Sequence, residues 1–221
     1  VGMAQMLMQL IIAVGIVIYN FFIVRLDVNA MAAFTLTGRI DYFIITPMLA
    51  IATALLTVVG QNWGHGNVTR TLNAYWAAVA LAFSIVLVLA VMHIVLAPWM
   101  YPLFTRVVAV SDYAVLQTRI MALALPFVAI SLLASEYYQA IGKPWYSVLL
   151  TLMRHVFISV PVVYLLAIVL EMRITGVYFG AMSGTFVAAL LAWRLLRLSP
   201  RLLRWNQEAV RSQHLDMEVA P

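Results

Sequence analysis

The sequence contains no cysteine and very few charged residues, and each shortage excludes a class of protein. Without cysteine the chain has no disulfide framework, no thiolate metal site and no cysteine nucleophile. Charged residues make up only 10% of the 221 residues, whereas a soluble domain carries roughly a quarter. Hydrophobic residues make up 65%, which is more than a core of this size can enclose, so the surplus has to face lipid.

Catalytic, metal-binding and nucleic-acid-binding patterns are also missing. The four histidines are scattered, with no HExxH spacing and no paired carboxylates. We therefore expect no metal, no cofactor and no enzymatic activity. The net charge of +5 would indicate nucleic-acid binding only if the basic residues clustered on a solvated face. Five arginines crowd instead between Arg194 and Arg211, which is typical of a membrane-topology signal, so the expected partner is the lipid bilayer.

Six apolar segments are long enough to span a bilayer, which takes about 20 residues each. A link at residues 97–112 is expected to lie at the interface, and residues 199–221 to form a polar tail. The apolar content is too high for β-barrel strands, whose lumen faces are polar. The sequence predicts an all-α integral membrane fold with six transmembrane helices in residues 1–198, spanning about residues 3–24, 29–59, 72–96, 113–140, 145–170 and 174–198.

The distribution of basic residues predicts the orientation of these spans. With six spans both termini lie on one side, and that side holds Arg70, Lys143 and the five arginines from Arg194 to Arg211, whereas the opposite loops hold Arg25, Arg106 and Arg173. Lys and Arg favour the cytoplasmic side, so we expect both ends in the cytoplasm, in a bacterial-type inner (plasma) membrane. The chain begins Val-Gly-Met without a charged leader, and we expect it to be trimmed or part of a longer protein.

Three prolines and three glycines interrupt or shape the predicted helices. Pro47, Pro126 and Pro161 each remove a backbone donor and free the carbonyl four residues earlier. They act either as packing kinks or as bending points around a wet cavity, and the sequence leaves both interpretations open. The three glycines, Gly176, Gly180 and Gly184, are spaced by four residues and therefore lie on one helix face. This spacing predicts close helix packing.

Polar groups inside spans are costly in lipid and are therefore candidates for a substrate or ion pathway. Arg39 and Asp41 are two residues apart, so they point in different directions and each should meet another helix or water. Asp41 is either a packing residue or a group that binds a proton or cation. Glu136 and Arg154 flank the turn before the fifth span at similar depth, which predicts an ion pair. The first helix adds Gln9, Tyr19 and Asn20.

Two turn motifs stand in the right order among these spans. Residues 59–67 read VGQNWGHGN, in which Gly60, Gly64 and Gly66 permit a tight reversal and Gln61, Asn62 and Asn67 can cap exposed backbone groups. Upstream lie an Ala-Ala pair, Arg39 and Pro47. Residues 138–144 read YQAIGKP, and this second turn contributes Gln139, Gly142, Lys143 and Pro144. Together these motifs resemble the signature turns of the multidrug and toxic compound extrusion (MATE) family.

The resemblance, over residues 1–198, implies one lobe of a twelve-helix MATE-type transporter, here the C-terminal one. It implies antiport of cationic amphipathic small molecules driven by a proton or sodium gradient, and a partner that is either the missing N-terminal lobe or a second copy. The acids that sodium-coupled members use in the first and fourth helices of this lobe are absent, which leaves Asp41 as the only deep candidate acid. Two alternatives remain: a lipid-linked sugar flippase of the same superfamily, and a half-size membrane remnant that does not transport.

Overall fold

A computed structural model describes the backbone of residues 2–219 and the side chains of residues 2–197. This part of the chain is helical throughout apart from short turns. A 3₁₀ stretch joins α4 to α5, and two π-helical stretches, Met153–Ile158 and Leu165–Val169, flank α7. The α-helices are α1 (Gly2–Leu26), α2 (Val28–Gly64), α3 (Val68–Phe104), α4 (Val108–Met121), α5 (Leu125–Ala140), α6 (Pro144–Leu152), α7 (Ser159–Tyr164) and α8 (Arg173–Val219).

These helices combine into six spans that are long and apolar enough to cross a membrane, as the sequence predicts. The fourth span comprises α4 and α5 (Val108–Ala140), the fifth α6 and α7 with the π stretches (Pro144–Val169), and the sixth the first part of α8 (Arg173–Arg197). The exposed surface carries large apolar side chains along most helices, which is the arrangement that lipid requires. The polar tail expected at residues 199–221 has its side chains outside the described part.

Consecutive spans run in opposite directions, so the turns collect at two ends of the bundle. We call one the Gly66–Gly142 end, after the glycines in the turns before α3 and α6, and the other the Asp27–Glu171 end. The fourth span is the centre of the bundle: 61% of its apolar stretch is buried, against 17% to 28% in the first, second, third and fifth spans. The main core packs α5 against α2, α3 and α8.

The prediction of a separate interfacial link at residues 97–112 is wrong. Helix α3 continues to Phe104 and α4 begins at Val108, so only three residues separate them. The helix continues through Pro98 and Pro102 because Ala97 and Tyr101, one turn apart, are fully buried against α4. At 37 residues, α3 is about 55 Å long, which exceeds a hydrocarbon core of about 30 Å.

The three internal prolines have different local environments. Pro47 lies within the uninterrupted helix α2. Pro126 stands in the first turn of α5, directly after the 3₁₀ stretch Ala122–Ala124, so the fourth span changes helical geometry there. Pro161 lies in α7 between the two π stretches. Two of the three prolines therefore coincide with departures from α-helical geometry, which is where helix kinks arise.

The glycine face of the sixth span packs against the backbone of the fifth. A Cβ atom added to Gly176 would lie 2.6 Å from the Ala167 nitrogen, and one added to Gly180 would lie 2.5 Å from Val163 Cγ2. At Gly184 the added atom would overlap the Ser159 hydroxyl and the Arg154 carbonyl. The three small residues therefore permit the backbone approach that the sequence predicts.

Asp27, in the turn after α1, is hydrogen-bonded to α2 and to α4 at the Asp27–Glu171 end. Its carboxylate accepts a hydrogen bond from the Asn29 amide at 2.8 Å, which caps α2, and a second from the Tyr113 hydroxyl of α4 at 2.8 Å. The Tyr113 hydroxyl, then the Asn29 amide, lower the pKa of Asp27 below its ordinary value. Asp27 therefore stabilises the fold when it is ionised.

Substitution of Gly180 by alanine is expected to destabilise the protein. The new methyl group would meet the Val163 backbone at 2.7 Å, and overpacking of this kind costs about 1–3 kcal/mol. The measurement is the thermal midpoint of the detergent-purified protein. Gly38→Ala is the matched control, because open space surrounds that position on α2, and it should leave the midpoint unchanged or raise it. Equal midpoints for the two variants would contradict the packing argument.

The stabilisation by Asp27 should depend on pH in a defined direction. Because the folded-state pKa lies below that of the unfolded chain, the contribution is complete at neutral pH and is lost as the pH falls through the lowered value. We expect the thermal midpoint of the wild type to fall more steeply than that of Asp27→Asn below about pH 4, near the ordinary carboxyl pKa. Tyr113→Phe should weaken the same dependence. An unchanged slope in Asp27→Asn would contradict the assignment.

Candidate functional site

The polar side chains inside the bundle form several separate groups. The first group lines a cavity of about 170 Å³ between α1, α5 and the fifth span. We call it the inner cavity; it lies towards the Gly66–Gly142 end. Its polar lining comes from Gln5, Gln9, Ser131, Ser135, Glu136, Gln139, Thr151, Arg154 and His155. Three of the predicted pathway residues, Gln9, Glu136 and Arg154, therefore share one site.

Charged and unpartnered groups face this cavity. Glu136 and Arg154 are both half-buried, and the Nε2 atom of the buried Gln139 has no hydrogen-bond partner. The expected ion pair is wrong: among the side chains of residues 2–197, Glu136 and Arg154 do not approach within 4 Å of each other. The pairing was predicted from similar depth, which does not fix the direction of a side chain, and Arg154 lies in the π stretch, which inserts an extra residue into the helical repeat.

The π stretch itself is held by local contacts. The Ser159 hydroxyl donates to the Arg154 carbonyl at 2.6 Å, satisfying a backbone group five residues earlier. Gly184 of the sixth span leaves room for this pair, and Gly15 of α1 leaves room for His155, because an added Cβ atom would lie 3.2 Å from His155 Cβ. The predicted residue Tyr19 is buried beside Ser159. It therefore supports the fifth span rather than lining the inner cavity.

A second cavity of about 470 Å³ opens between α1 and α2, and we call it the α1–α2 groove. It contains two predicted pathway residues, Asn20 and Arg39, together with Thr35 and Tyr42. The buried Asn20 Oδ1 atom lacks a hydrogen-bond partner. The groove therefore presents an unpaired guanidinium and an amide on the outside of the lobe.

A third cavity of about 690 Å³ lies between α3 and α4 at the Asp27–Glu171 end, with Arg106, Asp112 and Arg119 in its wall. We call it the outer cavity. Arg39, Arg119 and Arg154 thus line three different cavities. The described side chains do not assemble a strongly cationic chamber from them.

Asp41 lies in none of these cavities. Its Oδ1 atom is 3.4 Å from Nδ1 of His93 on α3, and it is not among the residues that line the groove with Arg39. The His93 Nε2 atom lies 2.9 Å from the Tyr101 hydroxyl, which is 2.6 Å from the Thr118 hydroxyl of α4. We call these four residues the Asp41–His93 cluster.

Sequence reasoning missed His93, Tyr101 and Thr118 as companions of Asp41. The predicted end of the third span near residue 96 placed His93 at the interface, three residues from that end. With α3 extended to Phe104, His93 lies eleven residues inside the helix, and Asp41 lies thirteen residues inside α2. Both are therefore about 16–20 Å from the same end of the bundle. With the correct length of α3, the sequence would have placed Asp41 and His93 at the same depth.

The family turn motifs form the Gly66–Gly142 end. Gly66 and Gly142 have positive φ values of 72° and 74°, which glycine adopts without strain, whereas Gly60 and Gly64 lie within α2. The Asn67 side chain caps α3 by accepting from the Arg70 amide at 3.1 Å. The Asn62 side chain donates to the Val58 carbonyl at 2.7 Å, while the Gln61 carbonyl accepts from the His65 amide.

The second turn reverses the chain in a similar way. The Lys143 amide donates to the Tyr138 carbonyl at 2.8 Å, and the Gly142 amide donates to the Gln139 carbonyl at 3.1 Å. Pro144 then begins α6, where a missing backbone donor costs nothing. Both turns therefore shape the bundle, and only Gln139 also reaches a cavity.

Known proteins match this fold and these turns. The MatE family profile matches residues 4–165. A probable multidrug resistance protein NorM from Caulobacter vibrioides is 26% identical over 184 residues, which cover 80% of this chain and 37% of that protein.

Solved structures of MATE in the straight and the bent conformation align with 92% and 93% of this chain at TM-scores of 0.86 and 0.87, with 28% and 26% identity. A MOP superfamily transporter from Pyrococcus furiosus aligns with 92% at a TM-score of 0.88 and 27% identity. The chain spans 46% of each of these solved proteins. Matched over most of its length by the family profile, the chain belongs to the MatE family.

Proposed function

We propose that this chain is the C-terminal lobe of a twelve-helix MATE-type antiporter. It exports cationic, amphipathic organic compounds in exchange for protons or sodium ions, and its partner is an N-terminal lobe or a second copy of the chain. The inner cavity is the observation that carries this proposal. A six-helix bundle that only filled a membrane would have no reason to keep an acid, a guanidinium and an unpartnered amide inside its apolar interior.

The half-length match supports the division into lobes. Solved transporters align with almost the whole of this chain but with less than half of their own length. The α1–α2 groove fits the same arrangement, because an exposed Arg39 on a span is costly in lipid and is favourable beside water or a second lobe. In this proposal the groove faces the central substrate pathway between the lobes.

The orientation follows from the same two ends of the bundle. Arg70 and Lys143 lie in or beside the turns of the Gly66–Gly142 end, and Arg25, Arg106 and Arg173 lie at the other end. The positive-inside bias supports a cytoplasmic location for the Gly66–Gly142 end and, with it, for both ends of this lobe. The inner cavity then lies on the cytoplasmic side of the bilayer in a bacterial-type inner membrane.

Dispersed arginines disfavour the flippase alternative. A pyrophosphate needs several guanidinium or ammonium groups converging on one place, and Arg39, Arg119 and Arg154 occupy different cavities. The remnant alternative predicts no transport, and the experiments below distinguish it from an antiporter.

Glu136→Gln in the full natural protein is expected to impair efflux of a fluorescent cation such as ethidium from a pump-deficient bacterial host. Removal of the charge from the inner cavity should lower the initial efflux rate by about tenfold, equivalent to about 1.4 kcal/mol. Glu171→Gln is the matched control, because that acid lies in the exposed turn before α8, and it should transport like the wild type. No efflux by the wild type under either gradient would contradict the proposal and favour the remnant.

The intact mass of the natively expressed polypeptide tests the division into lobes. Because this chain covers 46% of the solved transporters, we expect a single product about twice as heavy as 24.6 kDa. The six additional spans should precede Val1 in the gene. A native product near 24.6 kDa would contradict the single-chain arrangement and require two copies to complete the central pathway.

A further inference from the structure

The Asp41–His93 cluster lies at the junction of three helices and lines none of the three cavities described above. Asp41 comes from α2, His93 and Tyr101 from α3, and Thr118 from α4. His93, Tyr101 and Thr118 are buried, with apolar neighbours from the same helices around them. A carboxyl group and an imidazole in such a place are expensive to keep, and packing alone would be served by apolar side chains of similar size.

The cluster can hold one proton more or one proton less without losing a hydrogen bond. When His93 is neutral and carries its proton on Nε2, that nitrogen donates to the Tyr101 oxygen, and the Tyr101 hydroxyl donates to Thr118. When a proton is added at Nδ1, it lies on the side of the Asp41 carboxylate, and the bonds to Tyr101 and Thr118 are unchanged. The distances of 2.9 Å and 2.6 Å suit both of these bonds.

The added proton changes the charge of the cluster but not its connectivity. Without it the cluster carries the single negative charge of Asp41, and with it the carboxylate and the imidazolium neutralise each other. The His93 Nδ1 atom has no hydrogen-bond partner in this structure and lies 3.4 Å from Asp41 Oδ1. A small approach of α3 towards α2 would close that gap, so the protonation state and the packing of the two helices are physically linked.

Other charged groups do not neutralise Asp41. Within the described side chains, His93 is its one cationic partner within 4 Å. Charged and titratable groups on the surrounding helices face elsewhere: Arg39 lines the α1–α2 groove, Asp112 and Arg119 the outer cavity, Glu136 the inner cavity, Tyr19 lies beside Ser159, and Arg25 lies over the Phe21 ring. The protonation of this cluster is therefore decided within the cluster.

Access to the cluster is from the side of Asp41. Its side chain is 20% exposed and that of His93 only 3%. Gly38, one turn earlier on α2, has open space where a side chain would stand and lines the α1–α2 groove. Because residues three apart lie on neighbouring parts of a helix face, the open groove reaches within one turn of the carboxyl group.

We propose that Asp41 and His93 form a proton-binding site between α2, α3 and α4, and that its loading and release is the ion step of transport. The coupling step rests on the proposed antiport function, whereas the site itself does not. Chemistry favours a proton over sodium, since sodium requires several oxygen ligands and the cluster offers a carboxylate whose neighbour is an imidazole nitrogen. The bond that forms is N–H at Nδ1, on the side of Asp41, and the proton leaves from the same atom.

The site is tested first without transport, by infrared difference spectroscopy of the purified full-length protein between about pH 5 and 8, where histidine titrates. The wild type should show carboxylate and imidazole bands that change together with pH. The imidazole band should be lost in His93→Gln, whereas Asp41→Asn should lose the carboxylate band and shift the pH midpoint of the imidazole band. The milder variant Tyr101→Phe should shift the midpoint with the fold preserved. His65→Gln, in the exposed turn after α2, is the control and should keep the joint change of the carboxylate and imidazole bands that the wild type shows.

Proteoliposome transport then tests the coupling. Asp41→Asn should lose uptake driven by a pH gradient but keep substrate exchange at equal pH on both sides. Bands that do not respond to Asp41→Asn would overturn the site. Transport driven by sodium at constant pH in the wild type, or full pH-driven transport by Asp41→Asn, would overturn the coupling. If the wild type transports nothing under any gradient, the proposed antiport function fails, and the infrared result still decides whether the site exists.

Discussion

Polar groups inside a bilayer have to find their partners within the protein, and this constraint organises the whole lobe. The apolar helices meet it for their backbones by hydrogen bonding internally. The polar side chains meet it in two ways. Some are paired across helices, as when the Tyr75 hydroxyl donates to the Ile130 carbonyl at 3.1 Å and Ser147 donates to the Ser135 carbonyl at 2.6 Å. Others, such as Glu136 and Arg154, face a cavity where water or a ligand can solvate them.

Hydropathy was sufficient to predict the number, order and class of the spans, because the fixed thickness of the bilayer core sets how many consecutive apolar residues a spanning helix needs. It was not sufficient for the end of the third span. Pro98 and Pro102 suggested a break, but burial of Ala97 and Tyr101 against α4 keeps α3 helical to Phe104. Tertiary packing overrode a local signal, and the error of eight residues moved His93 from the interface into the interior.

Candidate site residues were predicted individually but not in their groups. The sequence singled out Gln9, Glu136 and Arg154, and the structure brings them to one cavity, but the expected ion pair rested on similar depth alone, which does not fix the direction of a side chain. Arg154 lies in the π stretch Met153–Ile158, where the Ser159 hydroxyl bonds to the Arg154 carbonyl in the space left by Gly184 of the sixth span. A contact between the fifth and sixth spans cannot be derived from the spacing of residues in the fifth alone.

The fourth span, which is the most buried of the six, connects the Asp41–His93 cluster with the inner cavity. Thr118 of α4 ends the Asp41–His93 cluster, and Glu136 of α5 lines the inner cavity. Between them the fourth span passes through the 3₁₀ stretch Ala122–Ala124 and Pro126, where the regular hydrogen bonding of the helix is interrupted. A span that is packed on most sides can change its angle only at such an interruption. Movement of α4 that follows protonation of the cluster would therefore be absorbed at this break or passed on to α5, and in the second case the inner cavity would change shape without any direct contact with the proton.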